Sequence, residues 1–357
     1  MRAHDVLRAR FELGEEGEAL QVIDDTLASE LPVTALDGLP DASRATALAG
    51  LTRELTQAPF DLETGPLLWA HLVCIAPASH RLLIVLHHIV ADGWSVNVLL
   101  DALSRAYAMR AGKPADADRA AQLDAALAPA WQYTDYVAWE RAALGEAALT
   151  RQLDYWRAQL AADGDPSAAA RLFPREAGAP GRQRGFEFLL SGDTAEALRR
   201  FAAERHATPF MAMLAVLDAV LHELSGRDDI RIGAPVSLRK RPEAQALIGY
   251  FINVQVLRTR IDAARGFAAL VDAARDTVLA AHEHQDVPFD RLIGALLPNR
   301  ASGDEALFQV KLTEQRPFET RGFAPIEAGL RVLLNDAPHF GARLHRSRRG
   351  DRLPARL

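Results

Sequence analysis

The stretch LLIVLHHIVADGWSVNVLLDAL, residues 82–103, sets two adjacent imidazoles, His87 and His88, at the end of an apolar run, followed closely by Asp92 and Gly93. Imidazole is the side chain whose ordinary pKa lies nearest neutrality. A histidine held at the end of a rigid strand is therefore well suited to take up a proton and hand it back. Side chains alternate along a strand, so His87 and His88 should point to opposite faces, and only one of them can serve a given cleft. Asp92 is suited to cap the helix that follows, and Gly93 to a close backbone approach or an unusual dihedral. Each also has an architectural use: a histidine beside a core is commonly a satisfied structural group, and an aspartate before a helix is commonly only its cap. A metal pair is disfavoured, because adjacent strand histidines diverge and no third ligand stands near them in sequence.

The elements that must position these groups follow from periodicity. LLWAHLVCI (67–75) and LLIVLHH (82–88) flank the turn-rich APASHR and are predicted to pair as strands. The second is apolar on both faces, the pattern of a central buried strand. After Gly93 the period becomes helical: Val96, Leu99, Leu100, Leu103 and Tyr107 share a face opposite Asp101, Ser104 and Arg105. Residues 146–161 give another helix. Residues 162–185 lose periodicity and gather Gly, Pro and Arg, the composition of a linker. Beyond them, Ser191 or Asp193 is placed to cap a helix, and TPFMAMLAVLDAVLHELSG is an apolar helix closed by Gly226. DIRIGAPVS and YFINVQVLRTRI read as strands, and GFAALVDAARDTVLAAHEH as a helix. A chain of 357 residues exceeds the roughly 250–300 at which one core stops growing. The expectation is two α/β domains, residues 1–161 and 186–357, joined by the linker 162–185.

Composition narrows the function classes. Hydrophobic residues at 49% and charged residues at 25% describe a soluble globular chain, and a net charge of -6 provides no general attraction to nucleic acid. Cys74 is the single cysteine, which excludes an internal disulfide and a cysteine-built metal site. No apolar stretch reaches the roughly 18 residues of a membrane span, and MRAHDVLRARF lacks the apolar core of a signal peptide. A cytoplasmic protein with neither nucleic-acid nor membrane partners is expected.

The full string HHIVADGWS resembles the HHxxxDG signature of the condensation domains of nonribosomal peptide synthetases, within the chloramphenicol-acetyltransferase-like acyltransferases. Further strings match that family in order: AHDVLRARF (3–11) is similar to RHExLRTxF, and YTDYVAW (133–139) to YxDFAVW. IGYFINVQVLR (248–258) is similar to IGxFVNTxxxR, and HQDVPFDRLI (284–293) to HQDxPFExxV. The chain departs from the family at RASGDEALFQV (300–310), where Gly303, Asp304 and Glu305 replace a Ser-Arg-Asn core. Relative to the family pattern it also looks shortened at both ends, and its last seventeen residues carry six arginines. A poorly packed tail from about residue 341, missing closing strands and weak activity of the isolated chain are therefore expected.

The resemblance implies two acyltransferase-like lobes forming a V around a tunnel, in which an acceptor amine attacks a donor thioester. No cofactor or metal is expected on the domain itself. Both substrates would arrive on the 4'-phosphopantetheine arms of donor and acceptor peptidyl carrier proteins, alongside adenylation domains of the same synthetase. His88, the second histidine of the motif, is the implied catalytic residue. His87, Asp92, Gly93 and Arg239 are implied to shape the loop, with Asp92 and Arg239 paired across the lobe junction. Tyr133, Asp135, Asn253, His284 and Asp286 carry motif identity and are expected mainly to support the scaffold. Two other readings stay open: an inactive fragment or recruitment domain, and a stand-alone acyltransferase using coenzyme A thioesters.

Overall fold

The computed structural model describes residues 1–27, 30–111, 117–161, 170–173, 187–297, 307–315, 323, 326–329, 342–347 and 353–356. By contact the chain divides into two units. The first comprises Met1–Glu140, Arg239–Phe251 and Phe318–Asn335; the second comprises Arg141–Leu238, Ile252–Pro317 and Asp336–Leu357.

In the first unit, strands β1 (Ala9–Leu13) and β2 (Ala19–Ile23) form an antiparallel hairpin. β3 (Val33–Ala35) pairs parallel with β4 (Leu68–Ala76), and β4 pairs antiparallel with β5 (Ser79–Leu86) in the register Leu72↔Leu82. Helix α1 (Asp41–Gln57) lies between β3 and β4 in sequence, and α2 (Gly93–Arg110), α3 (Ala117–Leu127) and α4 (Tyr133–Ala143) follow β5. The described sheet runs β3-β4-β5, which leaves β5 at its edge with none of its residues fully buried. That corrects the expectation of a central strand. Leu82 to Leu86 are apolar on both faces, but an apolar run alone does not distinguish an edge strand half covered on each side from a central one.

Two apolar clusters build this unit. One joins Val6, Leu7, Leu67, Leu68, Val90, Ala91 and Ile248. The other packs Tyr136, Ala244, Leu247 and Phe251 with Trp131, Tyr133 and Trp139. Ile248 in the first cluster, and Ala244, Leu247 and Phe251 in the second, all come from the Arg239–Phe251 excursion. The first unit is therefore completed by thirteen residues distant in sequence.

The second unit begins earlier than composition predicts. Helix α5 (Glu146–Leu160) buries Leu149, Trp156 and Leu160 in the second core, so the division follows Glu140 rather than falling within 162–185, of which only 170–173 are described. β6 (Glu187–Leu190) leads to α6 (Gly192–Glu204), where Ser191, of the two cap candidates, accepts from the Thr194 amide at 3.1 Å. Helix α7 (Pro209–Ser225) is capped by Thr208 and ends at Gly226, whose φ of 67° is the left-handed conformation glycine adopts without strain. The remaining elements are β7 (Asp229–Ser237), β8 (Ile252–Arg260), α8 (Gly266–Glu283), α9 (Phe289–Leu296), β9 (Val310–Gln315), β10 (Ala342–Ser347) and β11 (Leu353–Arg356).

The second sheet has the order β6-β11-β10-β9-β7-β8. β7 and β8 are antiparallel, while β9 runs parallel to both β7 and β10. Strand β8 starts at Ile252, two residues later than YFINVQVLRTRI suggests, because Tyr250 and Phe251 belong to the excursion into the first unit. The arginine-rich end, expected to pack poorly, contributes the backbone of two strands to this sheet: β10 pairs with β9, and β11 with β6. The departure at Gly303, Asp304 and Glu305 lies outside the described residues. Leu307 and Phe308, just after it, are buried, and a Cβ on Gly233 would stand 2.3 Å from the Phe308 ring.

Candidate active site

The His-His-Asp-Gly segment begins where β5 ends. The His87 amide still donates to the Leu67 carbonyl at 3.0 Å, which fixes the backbone of the strand end. The chain then makes one 3-10 turn over His88–Val90 before α2. In that turn the two imidazoles acquire different roles.

His87 is half-buried, and its Nδ1 accepts from the Ile89 amide at 3.1 Å. An accepting Nδ1 carries no proton, so this ring caps the turn as a neutral group, with its edge against Phe60 at 5.5 Å. Burial, and next the positive charge available to neighbouring His88, hold its pKa below the usual histidine value. His88 is exposed. Its Nδ1 lies 2.8 Å from the Ala91 carbonyl oxygen, which can only accept, so Nδ1 carries the hydrogen. The Nε2 lone pair of the neutral ring is then the available base. The ring also meets that of Tyr250, with centroids 5.3 Å apart and planes at 78°.

Asp92 anchors the loop. Its side chain is fully buried, and Oδ1 accepts from the Ser95 amide at 2.8 Å, the Ser95 hydroxyl at 2.7 Å and Arg239 Nη2 at 3.0 Å. Oδ2 accepts from the Phe251 amide at 3.3 Å, and the Asp92 amide donates to the Gly249 carbonyl at 3.1 Å. Arg239 is also buried. It also donates to the carbonyls of Ala244 and, at 2.9 Å, Leu247, and its guanidinium lies 3.8 Å above the Phe251 ring. Burial lowers its pKa from the ordinary arginine value, and the Asp92 carboxylate opposes that shift. Both partners lie in the first unit, because Arg239–Phe251 belongs there. The expectation of a bridge across the junction of two lobes is corrected to an ion pair within one unit.

Ser95, Gly249, Tyr250 and Phe251 complete the cluster, and sequence reasoning did not single them out. The Ser95 hydroxyl accepts from Arg239 Nη2 at 2.8 Å and from the Gly249 amide at 3.0 Å. A Cβ at Gly249 would stand 2.2 Å from Cδ2 of Tyr133, so only glycine allows that ring to approach. The Tyr133 hydroxyl in turn donates to the Tyr250 carbonyl at 2.7 Å, and burial raises its pKa. Available signals were the serine three residues after Asp92, a capping spacing, and a glycine within an aromatic-rich string. Reading GYF as the start of a strand concealed the second. Gly93 needs no unusual dihedral: it is the exposed first residue of α2, and its φ is not in the left-handed region. Trp94 donates to the Gln245 carbonyl at 2.8 Å, adding another tie to the excursion.

The other motif residues make bonds of their own. Asp135 accepts from the Gln132 amide at 2.8 Å, in front of α4. In the second unit Asn253 donates to the carbonyls of Gln285 and Val287 at 2.9 and 2.7 Å and accepts from the Phe289 amide at 3.1 Å. The His284 ring stacks on Tyr155 at 3.8 Å, and Asp286 exchanges two hydrogen bonds with the Gln152 side chain. These residues bond or stack with neighbouring backbone and side chains, as supports for the scaffold would. Among the described residues no group of three or more His, Cys, Asp or Glu side chains is arranged to hold a metal ion.

Comparison with known proteins assigns the class of this fold. The condensation domain model matches residues 1–320, and the chain belongs to that family. It is 39% identical over 313 residues to phosphinothricin tripeptide synthetase PhsC of Streptomyces viridochromogenes, a match covering 87% of this chain and 28% of that protein. It is 37% identical over 311 residues to the beauvericin nonribosomal cyclodepsipeptide synthetase of Beauveria bassiana, covering 87% and 9%. The chain thus spans less than a third of the length of these curated relatives. The X-domain from teicoplanin biosynthesis shares the fold, with a TM-score of 0.78 at 23% identity over 100% of this chain and 79% of that one. Among the described residues no single helix is long and apolar enough to cross a membrane.

Proposed function

We propose that this chain is the amide-forming unit of a nonribosomal peptide synthetase, with His88 as its catalytic residue. The donor is an acyl or peptidyl thioester and the acceptor an aminoacyl group, each on the 4'-phosphopantetheine of a carrier protein working alongside adenylation domains in the cytoplasm. The observation that supports this best is the state of His88: an exposed imidazole whose Nδ1 hydrogen is committed to the Ala91 carbonyl. Its Nε2 is thereby left as a base on a loop held by Asp92 and Arg239.

The chemistry suits such a base. An α-amino group titrates at about 7.7–8.0 and imidazole at about 6.5, so proton exchange between them is efficient near neutrality. The acceptor nitrogen attacks the thioester carbonyl carbon and the C–N bond forms. His88 Nε2 takes the proton that the nitrogen must lose. The C–S bond breaks with its electron pair on sulfur, and the proton passes to that thiolate, giving amide and thiol. Because a thioester already has a good leaving group, holding the amine in place supplies much of the acceleration. Positioning and proton transfer are both served by a ring whose tautomer is set. The intact histidines and the bonded Asp92 argue against a purely recruiting role.

The test is amide formation between loaded carriers, followed by mass spectrometry. His88→Ala is expected to slow it by roughly 10²–10⁴-fold, the usual worth of a positioned acid-base group. His87→Ala removes the turn cap and acts mainly through stability. An undiminished rate in His88→Ala would overturn the assignment.

A further inference from the structure

Tyr250 occupies a position that neither motif matching nor the proposed chemistry explains. It falls at the variable place of the IGxF-like string, and it is 39% exposed although its neighbours Gly249 and Phe251 are buried. Its backbone is held at three points: the Gly249 carbonyl accepts from the Asp92 amide, the Phe251 amide donates to Asp92 Oδ2, and the Tyr250 carbonyl accepts from the Tyr133 hydroxyl. The same aspartate that anchors the histidine turn thus anchors the peptide carrying Tyr250. The side chain lies edge-to-face with His88. Burial, and then the Asp92 charge, raise the phenol pKa, so the ring is neutral at physiological pH.

We infer that Tyr250 is a positioning residue for His88: its ring, on a backbone held by Asp92, keeps the imidazole in the orientation that presents Nε2 to substrate. A single hydrogen bond from Nδ1 to the Ala91 carbonyl sets the tautomer but leaves the ring free to swing about that bond. A second contact of fixed geometry removes the freedom, and Tyr250 supplies it. The ring does this work, so the hydroxyl is dispensable and the contact should survive in phenylalanine. This rests on the proposed role of His88.

The experiment uses the intact chain and two readouts, one of which needs no substrate. Diethyl pyrocarbonate acylates unprotonated, accessible imidazole nitrogen, and its rate at His88 can be followed by mass spectrometry of the peptide. Histidine-labelled protein reports the His88 ring resonances, assigned with His88→Ala. In Tyr250→Ala both the acylation rate and the His88 ring shifts are expected to change, while His80 and His222 react as in the parent. The rate of amide formation should fall roughly 2- to 10-fold, the strength of one aromatic edge contact, with the decrease in kcat rather than KM. Tyr250→Phe should restore both the His88 signals and the rate. Unchanged His88 signals in Tyr250→Ala, or a Tyr250→Phe variant as slow as Tyr250→Ala, would overturn the inference. If His88→Ala itself proves fully active, the proposed function fails instead, and the substrate-free signals still decide whether Tyr250 orients the ring.

Discussion

Each unit of this molecule contains a carboxylate removed from solvent, and the two are solvated in opposite ways. Asp92, 2% exposed, accepts from two amides, a hydroxyl and a guanidinium. Asp218, on α7 in the second core and 0% exposed, has no hydrogen-bond partner for either oxygen among the described residues. The residues three and four positions away on its helix face include Leu214, Ala215 and Leu221, all buried in the apolar core. Burial pushes its carboxyl up to about 7, and the nearby Thr259 hydroxyl offsets only part of that shift. Burying a charge is tolerable where donors replace water, and a carboxyl without donors keeps its proton instead. The contrast separates a charge retained to hold a loop from a carboxyl that keeps its proton up to about pH 7.

The largest expected effect is the removal of one partner from the first site. Asp92→Ala leaves the Arg239 cation, with a side chain 3% exposed, unpaired beneath the loop. A loss of about 3–5 kcal/mol is expected in chemical denaturation. Arg239→Ala should be similarly severe, since it also releases the carbonyls of Ala244 and Leu247. The double variant should lose clearly less than the sum of the two, because neither orphaned charge then remains. Strictly additive single variants would show that the pair is not the anchor it looks to be.

The second site should reveal itself in pH dependence. With its folded-state pKa raised, Asp218 holds its proton between about pH 4 and 7 while the unfolded chain releases it. The contribution is complete below the unfolded pKa, falls as pH rises towards 7, and is flat above, by up to about 4 kcal/mol in total. His4 works in the opposite sense: burial lowers its pKa from about 6.5 to about 4, so it adds stability as pH rises through most of the same window. Comparison with Asp218→Asn, which cannot titrate, isolates the Asp218 share. Denaturation midpoints at pH 5 and pH 8 that differ equally in parent and variant would mean that Asp218 is ionised in the native state after all.

The two sites also differ in how legible they were from sequence. Asp92 announces itself, because its spacing from His88 is a motif and its place before an amphipathic run is a helix cap. Asp218 is one polar letter in MLAVLDAVL, and nothing in a one-dimensional pattern tells a buried position from the polar face of the same helix. Local signals found most elements: periodicity located α2, α5, α7 and α8, and Gly226 ended α7. What escaped depended on long-range placement. β5 read as central because apolar runs do not encode which neighbours a strand has. The unit boundary was placed in the compositional gap at 162–185, whereas the buried face of α5 moves it to Glu140. Tyr250 reads as the start of a strand, since only the fold shows that Arg239–Phe251 belongs to the first unit. The arginines of the tail say nothing of the backbone pairing of β10 and β11, which is a property of backbone rather than of charge.

The smallest expected effect tests the comparison most finely, by deleting one buried hydroxyl in each unit. Ser95→Ala takes an acceptor from the Gly249 amide and from Arg239 and a donor from Asp92, so buried polar groups lose their partner. About 1–3 kcal/mol should be lost. Thr259, 1% exposed on β8, holds its hydroxyl near Asp218, where it lowers the carboxyl pKa, but outside hydrogen-bonding geometry, and valine matches its shape. Thr259→Val removes an unsatisfied polar atom and exposes no other, so its effect should stay under about 1 kcal/mol and can be stabilising. It should also move the Asp218 titration upward, because the Thr259 hydroxyl is the group that lowers it. Carboxyl carbon resonances followed against pH would report that shift directly. If Thr259→Val proved as damaging as Ser95→Ala, Asp218 would have a true donor in that hydroxyl. The two buried carboxylates would then differ in degree and not in kind.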